Sequence, residues 1–407
     1  MSSFLKKVSE KFALVLLLSA VSGLVLGLLL DDKTSYIEPF GTIFTRLLSM
    51  IVPVLVFFSI SSAFANIGNV NKLSKWAGKV IGWFLLTTVI GTVIGIAVGL
   101  IFKPGQGIGL PSGTDYEVTK ITADMFIDWL PENALGALVN SDTIQIVFLS
   151  IFVGIAAVCL PDGKSKNIIT DVLNSLQDLT LKIVQGIMYY APIGICCLMA
   201  SSISSLKGAF LQEMGSFLIA VTIGFVAHVL LCYFGALKLV AHISPIRFTK
   251  KLFPALITAF TTTSSAGTMP MTLQCTKNIG CNDEIADFGV PLGVTFNMDS
   301  MAIEIPLYIM LGMYAIGQSP TVPQLLLFAL MGVAFSIGCA GVPGGGIAIA
   351  VILINAFNLP VEVVGWIAAI FFYLDIVGTT INIWGDAVCT TIVARSEGMF
   401  DMEKFNS

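Results

Sequence analysis

Six apolar runs, each near the roughly 20 residues that carry a helix across a bilayer, fill the first part of the chain. They lie near Phe12 to Leu30, Ile43 to Ile67, Val80 to Phe102, Ile144 to Leu160, Ile183 to Ile203 and Phe217 to Val240. Inside lipid, backbone polar groups must be satisfied within the segment itself, so each run is expected to be a membrane-spanning helix. Composition agrees: 56% of the 407 residues are hydrophobic and 11% charged, where soluble domains carry about 25% charged residues. Nucleic acid is an unsuitable partner for such a chain. The net charge of -4 averages over loops and buried carboxylates and describes no surface.

Basic residues cluster at the N-terminus (Lys6, Lys7, Lys11), at Lys72, Lys75 and Lys79, at Lys164 and Lys166, and at Arg247, Lys250 and Lys251. These places alternate sides of the membrane, and the positive-inside rule puts the N-terminus in the cytoplasm. The first run has no clear small-residue cleavage site and is followed at once by further spans, which predicts a retained first helix. The eight cysteines form no CxxC pair and lie almost entirely in apolar segments. They read as free thiols used as small packing residues.

Beyond Arg247 the pattern changes. Small, polar and helix-breaking residues interrupt the apolar stretches at Thr261 to Pro270 (TTTSSAGTMP) and Gly338 to Gly346 (GCAGVPGGG). Non-helical backbone is tolerated at membrane depth only where it is buried in protein or lines a cavity. Two such breaks, each followed by a helix with embedded carboxylates, predict two hairpin-plus-helix units of opposite orientation, the pattern that marks a transporter binding site.

Between Lys277 and Arg395 there is no lysine or arginine, yet apolar stretches there hold Asp299, Glu304, Asp375 and Asp386. An ionised carboxylate at bilayer depth costs at least about 2.5 kcal/mol unless compensated. The compensators available are protons, metal cations or a cationic group of a substrate, which points to a cation-coupled transporter. Asp375, Thr379, Asn382 and Asp386 are spaced by four, three and four residues, one helical face over ~16 Å of axis. Oxygen ligands of this kind suit hard cations and ammonium groups. The same ~16 Å rules against an intramembrane aspartyl protease, whose two carboxylates must share a proton. Gly293 to Ser300 (GVTFNMDS) interrupts another apolar run, and unwinding there would let carbonyls join Asn297 and Asp299 in an oxygen cage. A channel with the same spans would have no need of two gating hairpins around an aspartate stripe.

The motifs TTTSSAGTMP, NMD, GVPGGG and D-x3-T-x2-N-x3-D, in that order, resemble the dicarboxylate/amino acid:cation symporter family, the glutamate transporter homologues, over nearly the whole chain. The resemblance implies an all-α membrane protein with eight transmembrane helices, two re-entrant hairpins, inverted repeats and an elevator-type homotrimer. Residues 1–75 (spans one and two) and 105–206 (spans four and five) would form a scaffold. The transport domain would comprise 76–104 (span three), 207–246 (span six), 247–280 (hairpin one), 281–318 (span seven), 319–358 (hairpin two) and 359–397 (span eight), with 398–407 a cytoplasmic tail.

Residue by residue, the resemblance places one sodium ion at Gly293, Asn297, Asn382 and Asp386. A second would take the carbonyls of Thr295, Ser336, Ile337 and Cys339, and a third Phe84, Thr87, Thr88, Asn297 and Asp299. Asp375 and Thr379, with the carbonyls of Thr263 and Val342, would hold the substrate ammonium. Asn382 and the Ser265 N–H would hold its α-carboxylate, with Ser264, Met301, Gly346 and Gly378 also around the substrate. Gly378 stands where acid-carrying members have an arginine, and Met301 where they have a threonine. A desolvated side-chain carboxylate would lack its partners there, so small neutral amino acids such as serine, threonine or alanine are expected, entering space left beside Gly378. Acidic amino acids or dicarboxylates, coupled to sodium or protons, are the alternative. Glu304 lies one position before a glutamate or glutamine of relatives and is expected to face a polar crevice.

Overall fold

The computed structural model describes residues 12–70, 75–108, 127, 130–338 and 345–407. Among these the regular structure is helical, with one isolated antiparallel bridge between Cys281 and Phe400. The longer helices of the first half are α1 (Phe12–Leu30), α2 (Glu38–Val70) and α3 (Lys75–Phe102). A short α4 (Ala134–Val139) then leads to α5 (Thr143–Cys159), α6 (Lys164–Met188) and α7 (Ala191–Ala227). A π-helical turn, His228–Tyr233, joins α7 to α8 (Phe234–Leu239).

Span five was expected at Ile183 to Ile203 and span six at Phe217 to Val240, with a connection between them. Instead the chain bends by 58° between α6 and the start of α7, where Pro192 occupies the first turn of α7. α7 then continues unbroken through residues 204–216, so the expected boundary between 206 and 207 falls inside a helix. Proline is accommodated at a helix start, where its missing N–H has no partner to lose. The segment that follows has no proline, and its Leu, Lys, Ala, Gln and Glu residues are good helix formers.

Helices α9 (Pro245–Thr262) and α10 (Ser265–Ile279) form an antiparallel pair around a two-residue turn. Helix α9 ends on Thr263 in the left-handed region, φ 50°, and Ser264 caps α10, its Oγ accepting from Gly267 N at 3.0 Å. The span after it is split into α11 (Asp283–Phe296) and α12 (Asp299–Ala315). Two further helices follow, α13 (Val322–Gly338) and α14 (Gly345–Ala356), then the long α15 (Glu362–Ser396). Residues 339–344, including Cys339 and Val342, lie outside the described residues. Among the described residues four helices are long and apolar enough to cross a membrane, or five if the bent α6–α7 pair counts as one span.

The C-terminal segment is packed rather than free. Asn282 N donates to Met399 O and Asp401 N to Gly280 O, at 2.9 and 2.8 Å. The last helix, α16 (Met402–Asn406), lies against the start of α9. There Arg247 and Lys251 sit over the Phe405 ring at 5.9 and 6.0 Å, and Lys251 Nζ donates to Lys404 O at 2.6 Å. This strap ties the base of the first helical pair to the end of α15.

Helix α12 is buried along its whole length, and α3 meets it backbone to backbone. A Cβ added at Gly95 would lie 2.3 Å from Ile303 O, the close approach that small residues permit between membrane helices. Gly82, on the same helix, has nothing within 4 Å of that position. Gly95→Ala is therefore expected to destabilise by about 1–3 kcal/mol through overpacking, and Gly82→Ala to be neutral or stabilising by up to ~1 kcal/mol through helix propensity. Thermal unfolding of the two variants in one detergent checks the opposite signs.

Candidate functional site

The break between α11 and α12 is the centre of the site. Asn297 and Met298 leave helical geometry (φ -115°, ψ 77° and φ -106°, ψ 62°), freeing backbone groups and turning both flanking side chains inward. Asn297 is buried, and its Nδ2 donates to Asp386 Oδ1 at 3.0 Å and to the Asn382 carbonyl at 3.2 Å. Asn382 Oδ1 accepts from Ser300 N at 2.9 Å, at the first turn of α12. The expected stripe on α15 therefore faces the unwound turn.

Gly293, Asn297, Asn382 and Asp386 are brought together. A Cβ at Gly293 would lie 2.5 Å from Asp386 Oδ1, so glycine is what lets α11 approach that carboxylate. Asp386 is fully buried, and its Oδ2 has no hydrogen-bond partner. A buried carboxylate oxygen left without a donor, among carbonyl and amide oxygens, is the donor set a hard cation takes.

Phe84, Thr87, Thr88, Asn297 and Asp299 also converge, and all five are buried. Thr87 Oγ1 is 3.0 Å from the Phe84 carbonyl and 3.2 Å from Asn297 Oδ1, and Thr88 Oγ1 donates to Asp299 Oδ1 at 3.0 Å. Two further partners were not foreseen. Tyr233 Oη donates to Asp299 Oδ2 at 2.7 Å, and His228 Nε2 lies 3.2 Å from the same oxygen. Both come from the π-helical turn, whose wider winding brings residues five apart toward one side. In sequence they are one histidine and one tyrosine in an apolar run, and nothing in their spacing announces that side. Asp299 Oδ1, with a single hydroxyl donor, keeps lone-pair capacity for a cation.

The remaining cation set is only partly assembled. Thr295 and Ile337 line a cavity with Ser62, Asn66 and Phe296, while Ser336 Oγ donates to the Met298 carbonyl at 2.8 Å. Its fourth member, Cys339, is outside the described residues.

Thr263, Ser265, Met301, Gly346, Asp375, Gly378, Thr379 and Asn382 line one cavity. Ser264 instead caps α10, and Val342 is outside the described residues. The cavity also takes in Met298, Ser300, Glu304, Phe371 and Leu374, which the substrate assignment had not included. Among the described residues its lining holds two carboxylates and no lysine, arginine or histidine. Ser265 begins α10, so the unpaired N–H groups and positive dipole end of that helix suit a substrate carboxylate.

One expectation is corrected. The space supposed beside Gly378 is filled: a Cβ there would lie 2.8 Å from Ser300 Oγ and 3.2 Å from Glu304 Oε1. Glycine is present because α12 and α15 pack closely there, and the group that fills the place is a carboxylate.

Comparison with known proteins identifies the family. The chain is 27% identical to a proton/sodium-glutamate symport protein of Geobacillus stearothermophilus, covering 94% of each chain. It is 27% identical to a proton/glutamate-aspartate symporter of Bacillus subtilis, covering 97% of each. With an L-cystine uptake protein TcyP of Shouchella clausii it also shares 27% identity, over 99% of this chain and 93% of the other. These relatives are transporters, not enzymes, and the profile of the sodium:dicarboxylate symporter family matches residues 12–396, so this multi-helical membrane chain belongs to that family.

Proposed function

We propose that this chain is a secondary active transporter that moves an amino acid across the cell membrane together with sodium. The carrying observation is the pair of neighbouring sites on α15: a cavity holding Asp375, Thr379 and Asn382, and one turn further on the buried Asp386 with an unpartnered oxygen. The first suits an ammonium and a carboxylate, the second a bare cation. Asn382 belongs to both neighbourhoods and its carbonyl accepts from Asn297 Nδ2, which supplies a physical route by which cation binding stiffens the amino acid site. Proton coupling is a second reading, supported by the names of the glutamate-carrying relatives.

The substrate reading changes with the relatives. Small neutral amino acids were expected from Gly378 and Met301, but the relatives are named for glutamate, aspartate and cystine. Those names support the alternative of acidic amino acids, and more broadly a substrate with a charged distal end. Family membership and the antiparallel α9–α10 pair support eight spans, two re-entrant hairpins and an elevator-type homotrimer with both termini in the cytoplasm. The division into scaffold and transport domains follows the same reading.

Purified protein in liposomes is expected to accumulate an amino acid against its gradient when sodium is higher outside. Accumulation unchanged when sodium is replaced by choline on both sides would overturn sodium coupling, and a requirement for an imposed pH gradient would favour protons. Asp386→Asn is expected to raise the half-saturating sodium concentration at least tenfold, about 1.4 kcal/mol, with an unchanged size-exclusion profile. Asp375→Asn is expected to weaken amino acid binding roughly 30-fold or more, since stranding one member of a buried charge pair costs about 2–5 kcal/mol. Sodium binding to the empty protein should change far less, and equal losses of both would make Asp375 a structural or cation residue.

A further inference from the structure

The two candidate cation cages share Asn297, whose Oδ1 lies 3.2 Å from Thr87 Oγ1 and whose Nδ2 donates to Asp386 Oδ1 at 3.0 Å. A second tie runs beside it through a residue that is a candidate ligand of neither cage. Tyr233 is fully buried, and its Oη stands between Asp299 Oδ2 at 2.7 Å and the Ile381 carbonyl of α15 at 3.2 Å. One phenolic proton thus faces two acceptors, and the shorter, charge-assisted contact to the carboxylate takes the larger share. Ile381 is one residue from Asn382 and five from Asp386. Gly385 makes the approach possible, since a Cβ there would collide with both Tyr233 Oη and Asn297 Nδ2. The His228 ring packs edge-on against Tyr233, with centroids 4.7 Å apart and planes at 77°, so the phenol is held by packing as well as by its hydroxyl.

We propose that Tyr233 is a positioning residue that couples the two cages, tying the Asp299 carboxylate of one to the stretch of α15 that carries Asn382 and Asp386 of the other. The argument is geometric. Asp299 Oδ2 accepts from the tyrosine hydroxyl and lies 3.2 Å from His228 Nε2, whereas Oδ1 accepts from Thr88 Oγ1 at 3.0 Å. The carboxylate therefore presents a fixed edge to the cage that Thr87 and Thr88 help to form. A cation arriving at that edge draws charge toward Oδ1 and weakens the hold of Oδ2 on the shared phenolic proton, since groups linked by hydrogen bonds polarise one another. The proton then moves toward the Ile381 carbonyl, beside the groups that would hold the other cation. Filling one cage in this way prepares the other, and the coupling is reciprocal by linkage. This inference rests on reading the two cages as sodium sites, and it gives Tyr233 a part in their cooperation rather than in holding either ion.

The test titrates the purified full-length protein with sodium alone, choline holding the ionic strength constant, and follows intrinsic tryptophan fluorescence, for which Trp384 adjoins Gly385 on α15. Wild type, Tyr233→Phe and Asp386→Asn are compared. Two coupled sites give a Hill coefficient between about 1 and 2, and wild type is expected near the upper end. Tyr233→Phe keeps the ring against His228 and removes only the hydroxyl. Its coefficient is expected to fall to about 1 and its half-saturating sodium to rise roughly fivefold or more, with the response still complete at saturation. A loss of packing alone would lower stability or amplitude and leave the coefficient as it was. An unchanged coefficient in Tyr233→Phe overturns the proposal, and so does a response lost at every sodium concentration, which would make the hydroxyl part of the fold or a ligand. A wild-type coefficient of about 1 overturns it as well and needs no variant to fold. Asp386→Asn separates the two levels: if its titration matches wild type, the Asp386 cage is not a sodium site and the functional reading itself fails.

Discussion

The structure depends on buried carboxylates that, among the described residues, have no lysine or arginine beside them. Asp299 and Asp386 are both fully buried and are linked through Asn297, whose amide touches Asp386 while Asp299 follows it across the α11–α12 break. Around this pair α3 contributes Thr87 and Thr88, the π-helical turn contributes His228 and Tyr233, and α15 contributes Asn382. Four separate stretches of chain therefore converge on two acids. In a low-dielectric interior, acids of this kind stay ionised only with donors and cations arranged around them. Asp299 has two hydroxyl donors and the His228 ring nitrogen beside it, whereas Asp386 has one donor and an oxygen to spare. That inequality makes the Asp386 end the stronger candidate for a bare cation and the Asp299 end the better supported by protein.

Glycine supplies the close approaches that this convergence needs. A Cβ at Gly385 would strike Tyr233 Oη and Asn297 Nδ2, at 2.4 and 2.5 Å, and one at Gly293 would strike Asp386. Along the outer side of α12 the same role falls to Gly95. The unwound turn, the helix starting at Ser265 and the stripe on α15 meet because their backbones can come within side-chain reach. The C-terminal strap, far from the cavity, holds the base of the first helical pair to the end of α15 and so fixes the frame in which the polar groups lie.

Much of the site was readable as periodicity. The spacing of Asp375, Thr379, Asn382 and Asp386 identified one face of one helix, and the interruption at Asn297 identified where a helix would break. Both statements depend only on local geometry. Span boundaries around residues 183–217 were less legible, because hydrophobic run length does not show that Pro192 starts a helix or that the polar segment after it keeps winding. The partners of Asp299 were not legible at all: His228 and Tyr233 face it only because a π-helical turn rewinds the span that carries them. The supposed room beside Gly378 was misread for a related reason. A glycine in a sequence signals either free space or close packing, and only the neighbouring helix says which.

By itself the sequence determined that this chain lies in a membrane, that its helices break at three polar places, and that its acids must be met by cations, since hydrophobic run length and the absence of basic residues are properties of the chain alone. It also carried the motifs of the sodium:dicarboxylate symporter family. Tertiary structure decided which acid faces which partner: Asp386 toward Gly293 and Asn297, Asp299 toward His228 and Tyr233, and Glu304 into the notch at Gly378. Those pairings join residues tens to hundreds of positions apart, and their energies depend on distances of about 3 Å that no local pattern encodes.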